Sequence, residues 1–120
     1  GRIPRAANII AGRPIASPRE GFLNLIHVED AAQAVDSVFR KRTQRLYVVS
    51  DDRPIVRSQF YEEIARQTGS EKPQFVTAEA GSSVSIRSES NKRVWNRRMK
   101  RDLVSNLYFP TYQHGLADIL

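Results

Sequence analysis

The sequence predicts a small mixed α/β fold, and three observations indicate it. Residues 23–28 form a short apolar run of strand length that ends at an acidic pair. Over residues 31–40 the apolar residues then recur at the i, i+3, i+4, i+7 spacing of a core-facing amphipathic helix. A second run, residues 46–49, is rich in β-branched and aromatic side chains and precedes another helical pattern at residues 58–68.

Length and composition indicate one domain of ordinary globular type. The chain has 120 residues, of which 40% are hydrophobic and 27% charged, so residues 1–120 are expected to form a single domain with a small core. It contains no cysteine, which excludes disulfides and thiol chemistry. No apolar run has the length of a membrane span and the start lacks a signal-peptide pattern, so a cytoplasmic protein is expected.

Turn and capping residues delimit the first elements. Residues 3–12 are predicted to form a short helix, with Gly12 just beyond its end, and residues 13–21 a loop. Residues 70–90 are poor in apolar side chains, which predicts a long and partly mobile loop.

The second long helix has an unusual predicted start. Residues 54–56 are expected to be extended, but Val56 carries no side-chain acceptor for a helix N–H group. Ser58 is therefore the expected cap. Gly69 should end this helix.

Four segments carry a family resemblance. Ile-His-Val-Glu-Asp-Ala-Ala at residues 26–32 is followed by Tyr-Val-Val-Ser-Asp-Asp-Arg-Pro at 47–54, Asn-Lys-Arg-Val-Trp-Asn at 91–96 and Leu-Tyr-Phe-Pro at 107–110. In this order they resemble the C-terminal part of the extended short-chain dehydrogenase/reductases, the NAD-dependent epimerase/dehydratase family. The resemblance implies a substrate-binding lobe that lacks the Rossmann dinucleotide-binding domain, and hence a fragment of a larger protein.

The same resemblance implies the C-terminal elements. Asn96 is expected to be the N-cap of a helix at residues 97–103, which Met99 and Leu103 would anchor. A last helix is expected at residues 112–120.

Cofactor and catalytic groups of the family are not found in this sequence. Its glycines never fall at the spacing of a dinucleotide-binding turn, and no Tyr-x-x-x-Lys occurs. The intact parent protein, an NAD(P)-dependent epimerase, dehydratase or reductase, would carry these groups in its missing N-terminal domain. This chain alone is expected to bind no cofactor and to be inactive.

Asn24 points away from the apolar side of the predicted strand, and Arg2 and Arg93 are either contacts for an anionic substrate group or solvated surface arginines. The expected substrate-binding residues are Arg2, Ile15, Asn24 and Arg93. Leu23 stands where nucleotide-sugar epimerases often have an Arg that meets a phosphate, which favours a different or smaller substrate, such as another sugar derivative. We expect no catalytic residue in this chain.

Other polar residues are interpreted as structural. His27 lies between two apolar residues and is expected to be a hydrogen-bonded structural histidine. Asp30, Asp51 and Asp52 are expected to serve as caps and turn residues, and no His/carboxylate cluster has metal-ligand spacing.

Two kinds of partner remain open. The net charge of +6 and the basic segment at residues 87–101 allow a nucleic-acid-binding or adaptor module as the alternative function. If the chain is instead the substrate-binding fragment, its partner is the missing dinucleotide domain, and the loss of that domain should uncover apolar side chains. The chain is then expected to associate with itself through Ile3, Ile10, Ile15 and Leu23.

Overall fold

The computed structural model describes residues 3, 5–77, 79–82 and 91–120. The chain forms two compact units. Unit 1 comprises Gly1–Leu23, Ile55–Lys92 and Ile119–Leu120, and unit 2 comprises Asn24–Pro54 and Arg93–Asp118. Helices and short strands are both present, so the predicted mixed α/β class is confirmed.

The elements follow one another along the chain as α1 (Ala6–Ile10), β1 (Ile15–Ala16), β2 (Phe22–Leu23), α2 (Val28–Lys41), β3 (Ile55–Val56), α3 (Arg57–Thr68), β4 (Phe75–Val76), α4 (Arg97–Asp102) and α5 (Tyr112–Ile119). All four of these strands belong to unit 1. β1 pairs with β4 in parallel, with Ile15 opposite Phe75. β2 pairs with β3 in an antiparallel ladder, with Leu23 opposite Ile55.

The core of unit 1 lies along α3. Phe60 and Ile64 are buried on its inner side, and α1 packs against this helix. Ile15 from β1 and Ile9 from α1 are also buried. Unit 1 is therefore held mainly by aliphatic and aromatic side chains.

The start of α3 differs from the prediction. Val56 is the N-cap and makes no side-chain cap bond. Instead, the backbone N–H groups of Arg57 and Ser58 donate to the carbonyl oxygens of Gly21 and Arg19, each at 2.9 Å. The prediction that Ser58 caps the helix is wrong, because a neighbouring loop already satisfies these donors.

The predicted strand at 23–28 is too long, and the helix that follows it starts earlier than residue 31. Only Phe22–Leu23 is a strand, and α2 begins at Val28. The cause is His27, which is the N-cap and whose Nδ1 accepts the backbone N–H of Glu29 at 3.3 Å. A capped helix start at this position excludes a strand that continues to residue 28.

The orientation of α2 also differs in part. Val35 and Phe39 were expected to face the core but are 56% and 77% exposed. Ala34 and Val38, of the same predicted pattern, do face the core, and the buried side of the helix also includes Asp30. The Asp30 carboxylate accepts a hydrogen bond from the backbone N–H of Tyr108 at 2.7 Å, and this contact turns the Asp30 side of the helix inward.

The predicted strand at residues 46–49 is not formed. These residues belong to no strand among those described, and Leu46 is 84% exposed. A composition rich in β-branched residues favours extended backbone but becomes a strand only where a neighbouring strand pairs with it.

The C-terminal helices agree with the prediction. Asn96 is at the N-cap of α4, and Met99 and Leu103 are buried. They form a core cluster of unit 2 together with Ala34 and Val104. The last helix is α5.

The predicted loops contain two short strands. Residues 13–21 include β1, and residues 70–90 include β4, because the two strands pair with each other. Residues 78 and 83–90 of the second loop lie outside the described residues. Gly12 and Gly69 follow their helices with φ angles of +66° and +65°, as predicted.

Within the described ranges, no helix has both the length and the apolar character that a bilayer crossing requires.

Candidate functional site

The predicted substrate-binding residues fall in different parts of the chain. Arg2 lies outside the described residues. Ile15 has no exposed surface and lies in the core of unit 1, so a substrate could contact it only after a rearrangement. Asn24 and Arg93 are exposed residues of unit 2, and Asn24 is hydrogen-bonded to the residue that follows Arg93.

Asn24 and the segment that contains Arg93 are joined by a hydrogen bond. Asn24 directly follows β2, and its Oδ1 accepts the backbone N–H of Val94 at 2.9 Å. Within unit 1, Asn91 Oδ1 accepts the backbone N–H of Phe22 at 3.3 Å. Arg93 is next in sequence to Val94, whose N–H Asn24 accepts within unit 2.

Trp95 continues the same segment and gives it an exposed aromatic surface. The residue is 71% exposed, and the guanidinium carbon of Arg97 lies 4.1 Å from its ring centroid. This is a cation–π contact, which contributes about 0.5–1 kcal/mol at an exposed site. Trp95 is the single tryptophan of the chain and lies within the basic segment at residues 87–101. A large aromatic side chain among basic residues is the sequence signal that could have added Trp95 to the predicted site.

Asn96 fixes the segment to the turn at residues 50–52. Its Nδ2 donates to the backbone oxygens of Ser50 at 3.0 Å and Asp51 at 3.1 Å. The same nitrogen lies 2.7 Å from Oδ1 of Asp52, and Lys100 Nζ lies 2.7 Å from the other oxygen of that carboxylate. This bracing keeps the backbone next to Trp95 in one place.

The two acids of this turn titrate differently. Burial raises the pKa of the Asp51 carboxyl to about 6, although a hydrogen bond from the backbone N–H of Arg53 opposes the rise. Burial also acts to raise the pKa of Asp52, but hydrogen bonds from Lys100 and Asn96 outweigh it, and the pKa is lowered. Asp51 Oδ1 accepts the Arg53 N–H at 3.0 Å, so its predicted role as a turn residue is confirmed.

His27 and Asp30 have structural roles. The His27 ring lies 3.9 Å from the Phe109 ring, and its Nε2 lies 3.4 Å from Asp118 Oδ2. A Cβ added at Gly115 would lie 3.3 Å from His27 Cδ2, so α5 packs closely on this ring. Because Nδ1 caps α2, the prediction of a hydrogen-bonded structural histidine is confirmed.

The carboxylate of Asp30 is fully buried. It accepts the backbone N–H groups of Tyr108 at 2.7 Å and Phe109 at 2.9 Å. It therefore holds the segment before α5 against α2. The interpretation of Asp30 as a helix cap is therefore wrong: the cap of α2 is His27, and Asp30 accepts N–H groups from a distant segment that is not helical.

Among the described residues, the acidic and histidine side chains and the starts of α2 and α3 match neither a metal ion nor a dinucleotide. In the part of the chain that the structure describes, no three His, Cys, Asp or Glu residues come together as a metal site. A dinucleotide pyrophosphate needs free N–H groups where a helix follows a strand. At α3 those of Arg57 and Ser58 donate to loop carbonyls, and at α2 that of Glu29 donates to His27. Neither helix start is preceded by a glycine-rich turn.

The chain is similar to part of a solved structure from Silicibacter pomeroyi DSS, a protein described as functionally unknown and conserved. The two have 32% sequence identity and a TM-score of 0.69 over 80% of this chain. The match covers 36% of the other protein, so this chain spans about a third of its length. No protein-family model and no curated protein matches the chain. The similarity carries the fold and names no activity.

Proposed function

We propose that this chain is the substrate-binding part of an NAD(P)-dependent epimerase/dehydratase-like oxidoreductase of the extended short-chain dehydrogenase/reductase family. The observation that carries the proposal is the hydrogen bond from the Val94 N–H to Asn24 Oδ1 at 2.9 Å. It joins the residues before the Ile-His-Val signature to the Asn-Lys-Arg-Val segment. These are the two stretches whose resemblance to the family is closest.

Around this bond lie the groups that would contact a small-molecule substrate. Asn24 carries an amide that suits a hydroxyl group, and Arg93 carries the charge and donors that suit an acidic group. Trp95 presents a flat apolar face. A sugar derivative with one acidic substituent combines these features. Because Leu23 replaces the Arg that is common in nucleotide-sugar epimerases, the substrate is proposed to be smaller than a nucleotide sugar.

The proposal divides the reaction between two parts of a larger protein. NAD(P) supplies hydride transfer in this family, and a dinucleotide-binding domain outside this chain would hold it together with the Tyr and Lys of the family. The occupied helix starts of α2 and α3 support the view that this chain holds no cofactor. The similarity to 36% of a longer protein agrees with a partial role.

Intrinsic fluorescence tests the proposal, since the chain has one tryptophan and the signal reports on Trp95 alone. We expect saturable quenching by an acidic sugar from a panel of hexose phosphates, uronic acids and UDP-sugars. Arg93→Gln should weaken this binding about tenfold or more, because a charge-assisted hydrogen bond contributes about 1.5–3 kcal/mol. Calorimetry with NAD and NADP should detect no binding to the chain.

The matched control is Arg40→Gln, which removes the same charge from a side chain of α2 that is 77% exposed. It should leave the affinity unchanged. Equal weakening by both variants, or no quenching by any acidic sugar, would contradict the proposed site. Binding of NAD or NADP by the chain would contradict the division between two parts.

The alternative remains a basic nucleic-acid-binding module. The net charge of +6 and the exposed Trp95–Arg97 pair favour it, because single-stranded nucleic acids bind cationic surfaces that carry aromatic side chains. Against it, Lys100 pairs with Asp52 at 2.7 Å and Arg101 with Asp102 at 2.6 Å. Sub-micromolar binding of single-stranded DNA that falls steeply with salt would support this alternative.

A further inference from the structure

Helix α2 has an inner face that is anchored in unit 2. Ala34 is buried in the core cluster, and Val38 packs against the same cluster. Ser37 Oγ donates to the carbonyl oxygen of Leu103 at 2.8 Å, and Lys41 Nζ donates to that of Asp102 at 2.5 Å. These contacts fix the rotation of the helix, so the direction of its other face is determined as well.

The opposite face carries a continuous line of apolar side chains. Val28 is 62% exposed, Val35 56% and Phe39 77%, and Ala32 between them is exposed too. Their spacing of i, i+4, i+7 and i+11 places them along one line of a helix. We call Val28, Ala32, Val35 and Phe39 the outer stripe. Single apolar residues on a surface are ordinary, but a contiguous patch is typical of an association surface.

The two ends of α2 carry opposite charges. Glu29 is an exposed acidic residue in the first turn, and Arg40 is an exposed basic residue of the last turn whose Nε lies 2.8 Å from Oδ2 of Asp36 in the same helix. Lys41, also in the last turn, is held on the inner face by the Asp102 carbonyl and does not point to a partner. Arg42 follows at the C-cap. This distribution complements the helix dipole of α2 itself. It also makes the helix complementary to a second copy of itself that runs in the opposite direction.

We propose that the outer stripe is the docking site for a second copy of this chain, with the two α2 helices antiparallel. In this arrangement Phe39 of each copy packs near Val28 of the other, and the two Val35 side chains lie near the centre. Glu29 of each copy then faces the basic last turn of the other. A parallel arrangement would instead place the two basic turns side by side, where they repel.

The size of the contact predicts a weak dimer. α2 has 14 residues, so the paired helices would touch over about 21 Å at 1.5 Å per residue. A single helix pair of this length buries less than the roughly 1,200 Å² that stable interfaces need. We therefore expect a dissociation constant on the order of micromolar and a reversible, concentration-dependent dimer.

The outer stripe is a different surface from the one that the sequence predicted for self-association. Of the four residues expected to mediate self-association, Ile15 has no exposed surface, whereas Ile10 is 58% exposed. Ile10 lies in unit 1 and the outer stripe lies in unit 2, so one substitution in each unit separates the two surfaces.

Sedimentation velocity over a range of concentrations tests the proposal on the full chain. The unsubstituted chain should shift from monomer to dimer, and Phe39→Asp should remain monomeric at concentrations where the parent is mostly dimeric. Ile10→Asp is the matched control and should leave the dimer unchanged. Circular dichroism should show both variants folded, because both side chains are exposed. A parent chain that stays monomeric throughout, or a dimer that only Ile10→Asp dissociates, would overturn the proposal.

Charge reversal tests the antiparallel direction. Glu29→Lys and Arg40→Glu should each weaken the homodimer about two- to tenfold, because exposed ion pairs contribute roughly 0.2–1 kcal/mol each. An equimolar mixture of the two variants should form a heterodimer of nearly parental affinity, since both cross-pairs are then restored. A mixture that dimerises no better than the separate variants would contradict antiparallel pairing.

Discussion

The interiors of the two units contain different kinds of buried side chain. The largest fully buried side chains are Ile15 and Ile64 in unit 1 but Met99 and Asp30 in unit 2. Beside its apolar core cluster, unit 2 therefore contains a fully buried carboxylate that accepts two backbone N–H groups. The difference teaches that a substitution at Ile64 in unit 1 acts through lost volume, while one at Asp30 in unit 2 acts through unsatisfied backbone N–H groups.

The two long helices repeat this contrast at their starts. The first N–H groups of α3 in unit 1 donate to backbone carbonyls of a loop. In unit 2 the start of α2 is capped by the His27 side chain. A helix whose first N–H groups donate to backbone carbonyls tolerates side-chain substitution there. A helix whose first N–H group donates to a side chain depends on that residue.

The largest expected effect is in unit 1. Ile64→Ala removes a fully buried side chain and should lower the free energy of unfolding by about 3–4 kcal/mol, through lost burial and the cavity that remains. Urea denaturation followed by circular dichroism measures it. Ile10→Ala, at a side chain that is 58% exposed, should change stability by less than about 0.5 kcal/mol. Similar losses for both variants would contradict the apolar core described for unit 1.

The next effect is in unit 2. Asp30→Asn should lower the free energy of unfolding by about 2–3 kcal/mol, because the amide replaces one acceptor by a donor that faces a buried N–H group. The fluorescence of Trp95 during urea denaturation follows unit 2. Asp36→Asn, at an exposed position of the same helix, is the control and should have little effect. If Asp30→Asn left the free energy of unfolding unchanged, the buried carboxylate would not hold the segment before α5.

The smallest effect is one of pH. The folded pKa of Asp51, about 6, lies above its ordinary value of 3.8, so protonation favours the folded state. This stabilisation is complete below about pH 3.8 and is lost as the pH rises through 6. At pH 7, Asp51→Asn should therefore be more stable than the parent by on the order of 1–2 kcal/mol, and near pH 4 the two should be similar. Urea midpoints at both pH values measure the difference.

In unit 1, the carboxyl group of Glu63 is expected to change stability with pH in the opposite direction. Hydrogen bonds from Arg66 lower the pKa of Glu63, so its contribution is present above its ordinary pKa and is lost as the pH falls. An Asp51→Asn variant that follows the parent curve at every pH would contradict the account of Asp51.

The sequence predicted those elements whose signals are local. Gly12 and Gly69 end their helices, because a C-terminal cap needs only its neighbours in the chain. The burial of Met99 and Leu103 at α4 was expected from the family resemblance instead. The pairing of β1 with β4 could not be predicted, since each strand has two residues and the partner is chosen by proximity in space. The rotation of α2 was predicted only in part for a similar reason: the inward direction is set by a buried Asp, which apolar periodicity ignores.

The candidate site was partly predictable in the same sense. The sequence named Asn24 and Arg93, and in the structure Asn24 is hydrogen-bonded to the residue that follows Arg93. The sequence could not reveal that Asn96 braces the turn at residues 50–52, because that contact joins residues 44 to 46 positions apart in the sequence. The sequence also named Ile15 as a substrate contact, and only the structure shows that this side chain is buried.

The most direct test of the proposed substrate site is an NMR titration of the ¹⁵N-labelled chain with the acidic sugar that best quenches Trp95. Backbone and side-chain amide signals report where the ligand binds. The account predicts that the largest shifts fall on the Asn24 side-chain amide, the Val94 N–H and the Trp95 indole N–H. Shifts concentrated in unit 1, or spread along the basic residues of α4, would contradict it.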